Sequence, residues 1–286
     1  MTRESGWRDF VRQASYQLLR NPLVVFGLVV IAAWLLIALV APLIAPREPL
    51  AQNVNVRLQA PSADYRFGTD DLGRDVFSRV LHGARLTIPA GIAVVVIGSI
   101  IGTLIGGIAG YLGGFWDEAL MRITELFMAF PTIILALAIT AALGPDIRNA
   151  IVALVIVWWP QYARLVRGLV LEVKTQEYVT AVKSVGARGS YTLFRTIIPN
   201  CIAPAIILAT LDVGTAILTF AGLSFLGLGA DPSSAEWGRM VSIGIDFFNQ
   251  WWMWLFPGLA IASLVLAFNF VGDGLRDLLD PRMRKR

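Results

Sequence analysis

The sequence is short of most of what a soluble enzyme uses. It holds one cysteine, Cys201, and one histidine, His82. A lone cysteine forms no internal disulfide, and one His and one Cys far apart in the chain do not make a structural zinc site. No metal centre is expected, and Cys201 reads as a small helix-packing residue. Counting alone leaves Cys–His catalysis open, but no other feature supports it. No G-x-x-x-x-G-K-[ST] string occurs, so ATP is not expected to bind here through a phosphate loop. Charged residues are scarce at 15% of the chain, against about 25% in soluble domains. No Lys/Arg run interleaves with aromatics, which argues against nucleic acid as a partner.

What is abundant is apolar surface. Of the 286 residues, 56% are hydrophobic, and the mean hydropathy is +0.67. A helix needs about 20 largely apolar residues to cross the hydrocarbon core. Six stretches qualify: Leu23–Ala41, Ile88–Tyr111, Phe127–Leu143, Ile147–Val166, Ile202–Phe220 and Trp252–Val271. The fourth is the weakest, because Pro160, Arg164 and Arg167 interrupt it. The first is expected to be retained, since no A-x-A-like cleavage pattern follows it. The expected fold class is an all-α integral membrane protein with six transmembrane helices.

With the N-terminus inside, six crossings leave most of the 24 Lys and Arg residues on the inner side. Arg3, Arg8, Arg12 and Arg20 precede the first span, and Arg282, Arg284, Lys285 and Arg286 follow the last. Trp251, Trp252 and Trp254 then fall at the outer interface. The expected organisation is a cytoplasmic segment (1–22), a first transmembrane helix (23–45), an external segment (46–85), a transmembrane core (86–275) and a cytoplasmic tail (276–286). The core contains a long internal loop at about 167–200. Both ends are expected in the cytoplasm.

Two patterns stand out. Gly98, Gly102, Gly106, Gly110 and Gly114 recur every fourth residue, which lets helices approach closely in lipid. This reads either as tight static packing or as a sliding or dimerising surface. In the internal loop, the spacing predicts a short helix over Thr175–Val185 closed by Gly186. Tyr178, Ala181, Val182 and Val185 form one apolar stripe. Glu177, Thr180, Lys183 and Ser184 cover much of the rest. Periodicity does not separate a helix that docks a partner from one lying in the headgroups.

The segment EYVTAVKSVGARGSYTLFRTIIPN (Glu177–Asn200) resembles the cytoplasmic loop of ABC importer permeases, whose pattern is E-A-A, three residues, G, nine residues, I-x-L-P. Thr180-Ala181-Val182 stand at E-A-A, Gly186 and Pro199 match, and Thr196 and Ile198 stand at I and L. The first Glu and second Ala are missing. Further strings extend the likeness: FGTDDLGRDVFSRVLHGAR (Phe67–Arg85), AGYLGGFWDEALMRITELFMAFP (Ala109–Pro131), YARLVRG (Tyr162–Gly168), AGLSFLGLGADP (Ala221–Pro232), EWGRM (Glu236–Met240) and FNFVGDGLRDLLDPR (Phe268–Arg282). In that order they resemble the dipeptide/oligopeptide/nickel permease family, and its second-permease (C-type) subunit in particular. The likeness runs from Leu23 onward.

This resemblance implies the type I ABC importer permease fold in a bacterial cytoplasmic membrane. It implies a heterodimer with a second homologous permease, two ABC ATPase subunits carrying ATP and Mg, and a periplasmic substrate-binding protein. No cofactor is expected in this chain, which would be a non-catalytic subunit importing di- or oligopeptides, or alternatively nickel or another small solute. Carried onto this sequence, the ATPase-docking helix comprises Glu177, Tyr178, Ala181, Val182, Lys183, Gly186 and Ala187. Ala181 and Gly186 would permit close approach, Tyr178 and Val182 would fill an apolar pocket, and Lys183 stands where the family often has a basic residue. Leu72, Val76, Phe77, Val80 and Leu81 form a stripe expected on a helix along the outer membrane surface, either near the binding protein or as a structural lid. Asp212 and Asn269 are the mid-membrane polar candidates for the pathway, and intramembrane carboxylates are functional candidates by default. The family often has Glu where this chain has Thr219, which shares a helix face with Asp212. Pairing with another helix is the competing role for Asp212, and a helix–helix hydrogen bond for Asn269. An ion-coupled secondary transporter is the rival class, but the chain shows no inverted repeat. A membrane enzyme would need paired carboxylates or more than one His and one Cys.

Overall fold

The computed structural model describes residues 20–279. The basic residues Arg3, Arg8, Arg12, Arg282, Arg284, Lys285 and Arg286, used above for orientation, lie outside the described residues, as does most of the expected N-terminal segment and C-terminal tail. Among the described residues the secondary structure is helical, apart from a bridge between Thr69 and Asp75. Five helices are long and apolar enough to cross a membrane. A sixth span is present if one bent pair is counted as a unit.

Helix α1 (Pro22–Ile44) starts with Asn21, whose side chain accepts from the Leu23 N–H, and with proline in its first turn. Both are favoured where backbone N–H groups lack helical partners. Helix α2 (Val76–Leu112) has 37 residues. At 1.5 Å per residue it is about 55 Å long, well beyond the ~30 Å hydrocarbon core. The second expected span is therefore only its later part. The residues expected on a separate surface helix (Val76, Phe77, Val80 and Leu81) form its first turns instead, while Leu72 sits in the preceding turn. Val76, Val80 and Leu81 are buried, so this stripe faces the protein.

The third expected span is broken. Helix α3 (Gly114–Met128) and helix α4 (Thr132–Leu143) meet at 88°. Pro131 caps α4 without a side-chain bond and disfavours helical geometry in the residue before it. By itself α4 covers only about 18 Å. Helix α5 (Ile147–Val173) runs through Pro160, Arg164 and Arg167, which were expected to interrupt it. Pro160 is buried, and Arg167 is neutralised by an ion pair described below. Helix α6 (Glu177–Ser184) is the short helix of the internal loop. Helix α7 (Gly189–Phe225) includes a π-helical turn at Thr192–Ile197. Pro199 lacks the N–H that would bond Arg195, and the Ile198 N–H reaches back to Leu193 O instead. Helix α8 (Trp237–Asp246), which hydropathy did not anticipate, precedes α9 (Trp251–Leu279).

The chain divides into two compact units, Met1–Pro89 with Thr210–Arg286, and Ala90–Ala209. In the first unit, α1 lies on α9. A Cβ on Gly27 would stand 2.7 Å from Ala267 O, and one on Gly274 would stand 2.3 Å from the Val24 side chain. The Trp34 indole donates to Ser263 Oγ at 3.0 Å. The far side of α1 is bare, with Leu39 and Leu43 largely exposed, as expected of a helix solvated by lipid tails. Trp252 is covered by the fold itself. It is buried, and its indole N–H donates to Thr69 O at 3.0 Å.

In the second unit, the glycine repeat forms a seam between α2 and α5. Cβ atoms on Gly102, Gly106 and Gly110 would meet the carbonyl oxygens of Trp159, Ala163 and Arg167 at 2.4, 2.1 and 3.0 Å. The two four-residue rows lie along each other, which is the tight-packing role. Gly114 leaves the pattern. It has φ +52 and no neighbour within 4 Å of a built Cβ.

Candidate functional site

The internal loop is built outward from α5. At the end of that helix, Lys174 Nζ donates to Gly110 O at 2.8 Å, a favourable place for a cation against the carbonyl end of α2. Helix α6 follows, with Glu177 in its first turn and Lys183 in its last, both complementing the helix dipole. It closes in a Schellman arrangement. The Gly186 N–H bonds Lys183 O at 3.0 Å, the Ala187 N–H bonds Val182 O at 3.3 Å, and Gly186 has φ +83.

One residue anchors α6. Val179 is fully buried in a cluster with Val166, Val170, Ile197, Cys201 and Ala205. Cys201 is thus a packing residue. The predicted stripe does not face this core. Tyr178 is 44% exposed and Val185 84% exposed, Ala181 is exposed, and Val182 and Ala187 are half-buried. The helix therefore has an apolar anchor on one side and an uncovered apolar face on another. Lys183 Nζ lies 5.4 Å from the centre of the Tyr111 ring, and Glu177 is exposed.

A buried polar core occupies the first unit. Asp70 accepts Arg74 Nε at 2.6 Å, and Arg79 Nε lies 3.5 Å from the same oxygen. Its other oxygen takes the N–H groups of Leu72 and Arg74. Arg79 donates to the carbonyls of Pro49, Ser233 and Ser234, and Arg74 to Ser233 O. Two guanidinium groups thus pin the 231–235 loop beside the start of α2. Asp75 takes the Ser78 N–H and hydroxyl on one oxygen. Glu236 caps α8. It accepts from the N–H groups of Gly238 and Arg239 and from the Thr87 hydroxyl. Burial pushes its carboxyl above the usual carboxylate range, against the pull of those donors. Trp237 is fully buried. It donates to Val80 O at 2.9 Å and stands edge-on to Trp34.

Asp212 and Asn269 are both half-buried, on α7 and α9. The Asn269 Oδ1 lies 3.6 Å from where a Gly214 Cβ would stand. Thr219 donates its hydroxyl to Thr215 O at 2.8 Å. Neither Asp212 nor Asn269 lines the large apolar groove of this unit, a cavity of about 560 Å³ bounded by Leu218, Gly222, Phe225, Val241, Gly258 and Leu266 among others. Among the described residues, no group of three or more His, Cys, Asp or Glu side chains is placed to hold a metal ion.

Residues 102–285 match the family described as the binding-protein-dependent transport system inner membrane component. Residues 5–61 match the N-terminal TM domain of oligopeptide transport permease C. The chain belongs to this family of transport components. Its relatives include a dipeptide transport system permease protein DppC from Alkalihalophilus pseudofirmus, 45% identical over 99% of this chain and 92% of the relative. A probable D,D-dipeptide transport system permease protein DdpC from Escherichia coli K12 is 45% identical over 92% of this chain and 88% of that protein. The DppC protein of Escherichia coli K12 is 46% identical over 93% and 91%. Among solved structures, the inward-facing MetNI methionine ABC transporter superposes with a TM-score of 0.58. The match covers 71% of this chain and 97% of that one at 19% identity, a likeness of fold.

The protein is therefore a multi-pass inner-membrane permease of an ABC importer, of the C type, and not a catalytic subunit. Several residues that build its site were not singled out from sequence. Val179 sits between the members of the stripe. The bidentate pair of Arg167 with Asp117, at 2.5 and 2.7 Å, joins residues fifty positions apart with no local signal. Glu236 and Trp237 were visible only as part of a motif. Glu236 gave no cap signal, because Ser, Thr, Asp and Asn are the side chains favoured at that position.

Proposed function

We propose that this permease forms half of the translocation pathway for di- or oligopeptides. A second homologous permease completes the pathway, two ATPase subunits drive it, and a periplasmic binding protein delivers the cargo. ATP and Mg²⁺ are held by the ATPases. The observation that carries the docking role is the uncovered Tyr178–Ala181–Val185 face of a helix anchored through Val179. An exposed apolar face on a firmly held short helix suits a pocket on another protein. The names of the relatives, dipeptide and D,D-dipeptide permeases, support peptide cargo over nickel.

In this reading both chain ends and α6 are cytoplasmic, and the 46–85 segment with Leu72, Val76, Phe77, Val80 and Leu81 is periplasmic. ATP closes the ATPase pair, the docking helices move with it, and the permeases exchange outward- and inward-facing packings. Glu177, Lys183 and Ala187 border the docking face, and Gly186 lets the chain turn away from it. The groove lined by Gly222 and Gly258 suits a helix of the second permease, because small residues allow close approach in lipid. Asp212 and Asn269 are the candidates for the pathway, where Asp212 would attract a substrate amine; pairing with another helix is the competing role of each. If Asp212→Asn leaves uptake and assembly unchanged, that assignment is wrong.

The docking role is tested with Val185→Cys in the assembled importer. A thiol cross-linker is expected to join it to the ATPase, and Tyr178→Ala is expected to abolish co-purification of the ATPase while leaving the permease folded. Undiminished co-purification in both Tyr178→Ala and Tyr178→Glu would overturn the docking face. Uptake of labelled dialanine into proteoliposomes, with nickel uptake measured alongside, decides the cargo.

A further inference from the structure

Helix α3 enters the fold through a swivel. Gly113 and Gly114 have φ +70 and +52, and neither has an atom within 4 Å of a built Cβ. Two backbone hydrogen bonds, Gly113 N–H to Ala109 O at 3.0 Å and Asp117 N–H to Gly113 O at 3.4 Å, span the link, and no side chain packs on its glycines, whereas the end of α2 is clamped to α5 by the glycine seam and by Lys174. Side-chain contacts at both ends of α3 tie it to α5. At its far end Phe127 meets Trp159 edge-on, with ring centres 5.5 Å apart. At its start Asp117 is gripped by Arg167, Nε to Oδ1 at 2.5 Å and Nη2 to Oδ2 at 2.7 Å. A bidentate guanidinium–carboxylate pair fixes orientation as well as distance. The nearby Arg122 side chain is turned to Glu125 at 3.3 Å and is largely exposed, so it does not substitute for Arg167. Arg167 lies on the last turns of α5, directly before the loop that leads to α6.

We infer that Asp117 and Arg167 are positioning residues for coupling: the pair makes α3, and the sharply bent α4 beyond it, follow the displacement of the docking helix. This rests on the docking reading above. A pull on α6 reaches the end of α5 through the Val179 cluster. Without the ion pair, the Gly113–Gly114 link lets the start of α3 lag, and ATP turnover no longer drives the full rearrangement. A purely structural brace would lower the amount of assembled importer without changing the solute moved per ATP.

The test uses the complete importer in proteoliposomes, with labelled dialanine uptake and ATP hydrolysis measured together. Asp117→Asn and Arg167→Gln are expected to keep the Val185→Cys cross-link to the ATPase and to keep hydrolysing ATP. Uptake per ATP should fall at least about fivefold, the lower end of typical coupling interactions. Asp117→Glu, and the exchange of Asp117→Arg with Arg167→Asp, should restore the ratio. An unchanged ratio in Asp117→Asn, or an assembled exchange variant no better coupled than the single variants, overturns the inference. Absence of the cross-link in an importer with native Asp117 and Arg167 overturns the docking reading instead.

Discussion

Replacing Gly106 with alanine tests the packing of the second unit at its tightest point. The added methyl carbon would stand 2.1 Å from the carbonyl oxygen of Ala163, with the Ala163 carbonyl carbon and Cα at 2.8 and 2.9 Å. A relaxed carbon–oxygen contact is about 3.3 Å or longer. The backbones of α2 and α5 must therefore part by about 1 Å, because the obstacle is main chain and has no rotamer to change. Parting them there also loosens the Gly102 and Gly110 contacts on either side. Overpacking of this kind costs about 1–3 kcal/mol, occasionally more. Gly168, on α5, is the control, since its built Cβ meets nothing within 4 Å. The same change there removes a glycine from a helix interior and should stabilise by up to about 1 kcal/mol. Thermal unfolding of the purified permease in detergent should show a lower midpoint for Gly106→Ala and an equal or higher one for Gly168→Ala. If Gly106→Ala melts at or above the parent, the seam is not a rigid contact.

Asp70→Ala leaves the buried Arg74 and Arg79 guanidinium groups without their shared carboxylate. It should cost about 3–5 kcal/mol, as breaking a buried pair does, seen as a sharply lowered unfolding midpoint. Gly186→Ala forces a left-handed backbone on a residue with a Cβ. It should weaken the close of α6 by about 1–2 kcal/mol, read as faster amide hydrogen exchange in α6 without global loss of stability. Glu236 carries a raised carboxyl, so the folded protein keeps this proton at pH values where the unfolded chain has lost it. Stability from this site is greatest below the ordinary Glu range and falls as pH rises through the raised value. Comparing unfolding midpoints across pH, the difference between the native protein and Glu236→Gln should shift in the variant's favour as pH increases. A difference that stays flat would mean Glu236 is not buried as described.

Composition alone determined that this is a helical membrane protein. Runs of about 20 apolar residues with few charges have no other stable setting, and the spans at α1, α5, α7 and α9 were readable to within a few residues at one or both ends. The glycine row announced close packing because only the absence of a Cβ permits it. Tertiary structure decided what depended on distant partners. Hydropathy could not see that α2 begins at Val76, well before its apolar stretch, since Arg74 and Arg79 look like solvent-facing polar residues until the carbonyls of Ser233 and Ser234 come to meet them. It could not see the bend between α3 and α4, where an apolar run hides a change of direction at Pro131. In the short loop helix, periodicity located an apolar stripe but not the residue that meets the body. Val179 became the anchor only because Val166, Val170, Ile197 and Cys201 arrive from two other helices. Local spacing records which residues share a face; which face is covered, and by what, is set by chain segments that no local pattern contains.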